Sequence, residues 1–90
     1  MSERRSQLEI VHDILQAIQD KGGKIKPTHL LYKSNLSHQR MMLYIKDLME
    51  KNLMLLVNDK DKSFYTLTDQ GHEFLSNYRK IKEFTDAFGL

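Results

Sequence analysis

SNLSHQRMMLYIKDLMEKNL, residues 34–53, reads as a tight turn, a helix cap and one amphipathic helix of about four turns. Ser34 and Asn35 favour the turn because their short polar side chains hydrogen-bond to nearby backbone. Ser37 is then placed to cap the helix by accepting from a free amide of its first turn. At about 100° per residue, Met41, Tyr44, Ile45 and Leu48 share one side, which is the core face. Gln39, Leu43, Lys46 and Glu50 project opposite, and His38, Arg40 and Met42 lie on the flanks. The outer face is mostly polar near its N-terminal end, so something other than the core must meet it.

Upstream, Ser6-Gln7-Leu8-Glu9 fits a capping box and predicts a helix start. Leu8, Val11, Ile14, Leu15 and Ile18 recur at helical spacing, with Glu9, Asp13, Gln16 and Asp20 on the other side, and Gly22-Gly23 ends the helix. Lys24-Ile25-Lys26 is long enough only for a bridge or a small strand. Pro27 suits the first turn of a second, brief helix, because its missing amide hydrogen would find no helical partner there. This helix carries His29, Leu30, Leu31 and Tyr32 and stops near Lys33-Ser34-Asn35.

Downstream, Leu53-Met54-Leu55-Leu56-Val57 loses the helical period and has the length of a strand. Asn58-Asp59-Lys60-Asp61-Lys62 follows as a loop, and Phe64-Tyr65-Thr66-Leu67 forms the return strand of a hairpin. Thr68, followed by Asp69, caps a last helix that runs towards Phe88, with Gly71 a weak helix former in its first turn. Two short helices joined by a tight turn and followed by a hairpin describe a winged helix-turn-helix. The expected architecture is α+β and mostly α: three helices and a two-stranded wing over residues 1–68, then a C-terminal helix over residues 69–90.

Length and composition agree with this small design. Ninety residues support about one core, and 40% apolar with 29% charged side chains is the balance of a folded chain. The absence of cysteine excludes disulfides, thiolate nucleophiles and cysteine-bound zinc, and a reducing cytoplasmic location is the natural expectation. The amino terminus, MSERRSQLEIVHDIL, reads as neither a signal peptide nor an anchor, and no membrane span is expected. The net charge of +2 names no partner, but its distribution does more. From Lys21 to Lys46 there are six basic residues and no acid, whereas the rest of the chain holds eight basic and twelve acidic ones. A basic segment of this kind can form a face that attracts an anionic polymer.

Lys33-Ser34-Asn35-Leu36-Ser37, then Tyr44-Ile45-Lys46-x-Leu48, then Tyr65-Thr66-Leu67-Thr68-x-x-Gly71-x-x-Phe74-Leu75 carry a resemblance over nearly the whole chain. In these residues the sequence resembles the small archaeal winged helix-turn-helix DNA-binding proteins of about ten kilodaltons that dimerise through a C-terminal helix. The resemblance implies a homodimer on double-stranded DNA, with the third helix in the major groove, the hairpin beside it on the backbone, and the last helices paired in an antiparallel coiled coil. In family members with the longest coiled coils that helix runs further than it can before Leu90, so a more compact dimer or a different contact is open here.

The chemistry of the third helix suits such a role. His38, Gln39 and Arg40 occupy its first turn, where recognition helices meet base edges. Gln39 can pair with adenine and Arg40 with guanine or a phosphate, while the helix start at Ser37 can offer amide hydrogens to phosphate. Lys24, Lys26, Lys33 and Lys46 are candidate backbone contacts, which set affinity and register without reading sequence. Lys60 and Lys62 of the wing are further candidate DNA contacts, but Asp59 and Asp61 offset them, so that loop also reads as a solvated turn. Leu43 sits in the middle of the outward face and leaves three readings open: contact with a thymine methyl, a protein interface, or a helix rotated from this assignment.

In the last helix Phe74, Tyr78, Ile81, Thr85 and Phe88 step by four and three, and Leu75 and Phe84 widen the apolar arc to about half the circumference. One small domain can hardly cover that arc, so it is the candidate dimer interface, the alternative being a helix folded back over the hairpin and first helix. His12, His29, His38 and His72 lack the close pairing of a metal site, and no phosphate-cradling loop or nucleophile motif is present. The expectation is therefore a DNA-binding transcriptional regulator with no metal, cofactor or catalytic centre, and the rival is a winged helix that serves as a protein-interaction module.

Overall fold

The computed structural model describes residues 6–90; the extreme amino terminus, on which part of the leader-peptide reading falls, lies outside the described residues. The elements run α1 (Gln7–Asp20), β1 (Lys24–Ile25), α2 (Pro27–Ser34), α3 (His38–Glu50), β2 (Met54–Asp59), β3 (Lys62–Leu67) and α4 (Asp69–Ala87). The strands form one antiparallel sheet in the order β1-β3-β2, so the wing is three-stranded, with the Lys24-Ile25 bridge as its third member. Lys24 pairs with Thr66 and Ile25 with Tyr65. The winged-helix architecture and the C-terminal helix expected from the sequence are both present.

The helix ends form where the sequence supplies partners for unsatisfied backbone groups. At α1 the Glu9 amide donates to Ser6 Oγ at 3.1 Å and the Ser6 amide donates to Glu9 Oε1 at 2.8 Å, which completes the capping box. Ser37 Oγ accepts from the Arg40 amide, and Thr68 Oγ1 accepts from the Gly71 amide at 2.9 Å while donating to the Asn52 carbonyl at 2.7 Å. The turn between α2 and α3 depends on two neighbours. Asn35 adopts the left-handed conformation at φ 58°, which asparagine tolerates better than most residues, and the buried Ser34 hydroxyl donates to the Leu31 carbonyl.

All three helices of the helix-turn-helix unit and the sheet contribute to one core. Ile14, Leu15 and Ile18 of α1 meet Leu30 of α2, Ile45 and Leu48 of α3, and Met54 and Tyr65 of the hairpin. Burial of each such aliphatic side chain contributes about 1.5–3 kcal/mol, so this shared core fixes the angle between α2 and α3. The α3 face is as read from the sequence, with Met41, Ile45 and Leu48 buried and Tyr44 half-buried.

Three details differ from the sequence reading. Ile10 and Ala17 join the core in α1, whereas Leu8 is 55% exposed, because the first turn of α1 lies beside α4 rather than over the sheet. The hairpin is tighter than the expected five-residue loop: Asn58, Asp59, Lys62 and Ser63 all pair, leaving Lys60-Asp61 as the turn, with Lys60 at φ 58°. Polar residues are accommodated there because that end of the ribbon is solvated on both faces, and Ser63 Oγ donates to Asn58 Oδ1 across the strands. Leu75, placed by the sequence in an intermolecular seam, is instead buried in the core of its own chain.

Candidate nucleic-acid interface

The α2–turn–α3 unit presents the candidate surface. Ser37 starts α3 and its hydroxyl is engaged as a cap, so what it offers outward is the amide-rich helix end. His38, Gln39, Arg40, Met42, Leu43 and Lys46 are all exposed on α3, with Leu43 67% exposed. Arg40 and Leu43 share a shallow groove with Tyr44, Asp47 and Lys51 and with Gln7 of α1, so this flank of α3 faces the start of α1. Gln39 and Lys46 are outside that groove.

Lys26 is the N-cap of α2 and Lys33 lies in its last turn, where a cation is favoured by the helix dipole. Both are exposed. Lys24 is already engaged: its Nζ stands 4.6 Å from the centre of the Phe64 ring, a cation–π contact that holds it against the sheet. Lys60 is at the tip of the hairpin and Lys62 pairs with Asp59 at the start of β3, so the wing end carries balanced charge.

The ion pairs of the molecule lie elsewhere. Among the described residues they are Lys51–Asp47, Lys82–Asp86 and His12–Asp13. Lys21, Lys26, Lys33, Arg40 and Lys46 therefore have no ion-pair partner among the described residues, and the segment that contains them holds no carboxylate. Within α2 and its turn Lys26 and Lys33 meet no carboxylate, whereas α3 sets Asp47 and Glu50 beside Arg40 and Lys46, so the excess of positive charge lies on the α2 side of the surface.

Sequence reading overlooked two features of α2. Tyr32 is 86% exposed and projects from the helix without an aromatic partner among the described residues. Desolvation, together with repulsion by Lys21 and Lys33, holds the His29 imidazole below the usual histidine range. The signal was present in the four-residue spacing of His29 and Lys33 within an acid-free run.

The candidate dimer surface divides along α4. Phe74 and Tyr78 are half-buried, and Tyr78 stacks on His12 of α1 with ring centres 4.2 Å apart. Beyond them Ile81, Phe84 and Phe88 are exposed, Ile81 at 64%. A groove of about 320 Å³ runs between Leu8 of α1 and the stretch of α4 from Phe74 to Thr85, lined there by Phe74, Asn77, Tyr78, Ile81, Lys82 and Thr85. No described helix is long and apolar enough to cross a membrane, and no cluster of metal-capable side chains occurs among the described residues.

Among solved structures the fold is similar to that of Sso10a-2, a DNA-binding protein from Sulfolobus solfataricus, with a TM-score of 0.77 and 18% identity over 93% of this chain and 85% of that one. It is also similar to a candidate transcriptional regulator from Pseudomonas aeruginosa, with a TM-score of 0.74 and 18% identity over 88% of this chain and 55% of that one. A MepR-like protein complexed with pseudoligands gives a TM-score of 0.67 and 20% identity over 86% and 59% of the two chains. At these identities the likeness is one of fold. No curated protein sequence matches the chain. The sequence model of the winged helix-turn-helix family, however, matches residues 4–86, and with the observed fold this establishes that the chain belongs to that family.

Proposed function

We propose that the protein is a dimeric transcriptional regulator that binds double-stranded DNA, with α3 in the major groove and the hairpin near the backbone. The observation that carries this reading is the set of exposed cations Lys26, Lys33, Arg40 and Lys46 on the two helices of a helix-turn-helix, none of which makes an ion pair among the described residues. His38, Gln39 and Arg40 supply the polar side chains suited to base edges, and Lys26, Lys33 and Lys46 the phosphate contacts. The DNA-binding and regulatory descriptions of the structural neighbours agree with it.

The dimer rests on α4. Its seam, exposed at Ile81, Phe84 and Phe88 and half-buried at Phe74 and Tyr78, is chemically symmetric about Ile81: Tyr78 and Phe84 lie three residues either side, Asn77 and Thr85 four, and Phe74 and Phe88 seven. In an antiparallel two-fold pairing centred on Ile81, aromatic groups meet aromatic groups and Ile81 meets its own copy, the self-complementarity that a two-fold interface requires. Leu75 takes no part, because it is already buried.

A second reading is favoured by exposed Leu43 and Met42, which place apolar surface on the outward face of α3 and suit a protein partner. Titration of fluorescent mixed-sequence duplexes at two salt concentrations, with the solution mass measured in parallel, separates the two. Affinity that falls steeply with salt supports the DNA reading. Absence of binding at low salt overturns it in favour of the protein-interaction module.

A further inference from the structure

His29 and Lys33 stand one turn apart on α2, and Lys26 is the N-cap of the same helix three residues before His29, so the three mark a stripe along one flank. Leu30 and Ser34 point into the core, which turns this flank towards the surface; Lys26 and Lys33 are exposed and His29 is half-buried. Lys21, the C-cap of α1, acts on the same stripe from the neighbouring helix, and α1 is the element most closely packed on α2. We propose that Lys21, Lys26, His29 and Lys33 form a phosphate-binding stripe for DNA, separate from the base-reading turn of α3, in which His29 takes up a proton from solvent as the phosphodiester arrives. This inference rests on the DNA-binding reading.

The chemistry follows from which charges face the imidazole. Lys21 from α1 and Lys33 from α2 act on it, and no charged side chain of α3 or β3, the other elements packed on α2, does so. In the free protein partial desolvation, and then repulsion by Lys21 and Lys33, disfavours the imidazolium and holds its titration below the ordinary histidine value. A phosphate placed among the lysines reverses the sign of the local field and favours the charged form, which then donates to a phosphate oxygen from a ring nitrogen. Binding consumes up to one proton per subunit. Affinity therefore rises as pH falls through the interval between the free and bound values, by at most about tenfold per pH unit for each proton taken up. His12 and His72 belong to the α1–α4 side, where they contact Tyr78 and Gln19. His38, in the first turn of α3, is the histidine whose titration has to be distinguished.

The test is a pH titration of the His29 ring by NMR in the full chain, free and bound to a short mixed-sequence duplex, alongside anisotropy titrations at constant ionic strength from about pH 5.5 to 8. The expected result is an upward shift of the His29 titration in the complex. Several-fold tighter binding at the acid end is expected as well, lost in His29→Gln and kept in His38→Gln. In the free protein Lys33→Ala should move the His29 titration upward, which reads the cation cluster without DNA. An unshifted His29 in a complex that does form, or full pH dependence in His29→Gln, overturns the stripe while leaving DNA binding intact. No duplex binding at low salt overturns both.

Discussion

Gly71 packs directly against the backbone carbonyl of Leu53, and the space between them cannot hold a β-carbon. That carbonyl is also fixed by the Thr68 amide, which donates to it at 3.3 Å, so neither side of the contact yields easily. Alanine is the better helix former by about 1 kcal/mol, yet Gly71→Ala is expected to destabilise the protein by about 1–3 kcal/mol through overpacking. Urea denaturation measures the sign directly, and a stabilised variant would show that the Leu53 backbone can move aside.

The αL position of Asn35 predicts a small effect with a definite chemical order. Asn35→Ala should cost about 1 kcal/mol, because an alanine β-carbon is strained there, whereas Asn35→Gly should be close to neutral. Equal losses from both variants in thermal melts would instead assign the stability to the asparagine side chain.

Arg40 and Lys46 are exposed, so replacing either with alanine should leave the denaturation midpoint within about 0.5 kcal/mol of the parent. Lys46→Ala should weaken binding to all duplexes alike and lower the salt slope by about one. Arg40→Ala should weaken binding as well, and loss of sequence preference would separate a base contact from a phosphate contact. A variant that binds as tightly as the parent removes that residue from the interface.

Along α4 two substitutions of the same kind should part company. Ile81→Asp lies in the exposed centre of the seam and should give a folded monomer, visible as half the parental mass with unchanged circular dichroism. Leu75→Asp, in the buried core, should prevent folding. An unchanged mass for Ile81→Asp would exclude the proposed pairing.

Acid should loosen α1 first at its start. Hydrogen bonds from the Ser6 amide, then from its hydroxyl, hold the Glu9 carboxyl below the usual range. The folded value lies under the unfolded one, so this contribution is present above the ordinary carboxylate value and is lost as pH falls through the lower, folded value. Glu9→Gln keeps an acceptor for the cap and should flatten the acid limb of a stability–pH curve below the ordinary carboxylate range.

What the sequence made legible follows from what local chemistry can specify. Ser6, Ser37 and Thr68 marked three helix starts because a cap is a contact within three residues, and the α3 face could be read by angle for the same reason. Leu8 misled because it has the period of the core but lies one turn beyond the sheet that the core packs on. The tight Lys60-Asp61 turn escaped notice because lysine is a poor indicator of positive φ. In the interface, the exposed positions of α3 were readable, but Lys21 approaches His29 from another helix, and the Lys24 contact with Phe64 crosses strands distant in sequence. Gly71 looked like a mild weakness in a helix, and only the neighbouring Leu53 carbonyl shows why a side chain is refused there.

The pairing of Lys24 with Thr66 and Ile25 with Tyr65 couples the approach to α2 to the wing. Two residues of strand tie the hairpin to the start of the helix-turn-helix through the sheet ladder. The ordering entropy of that arrangement is incurred when the chain folds, so a binding partner meets a surface already set and need not arrange it.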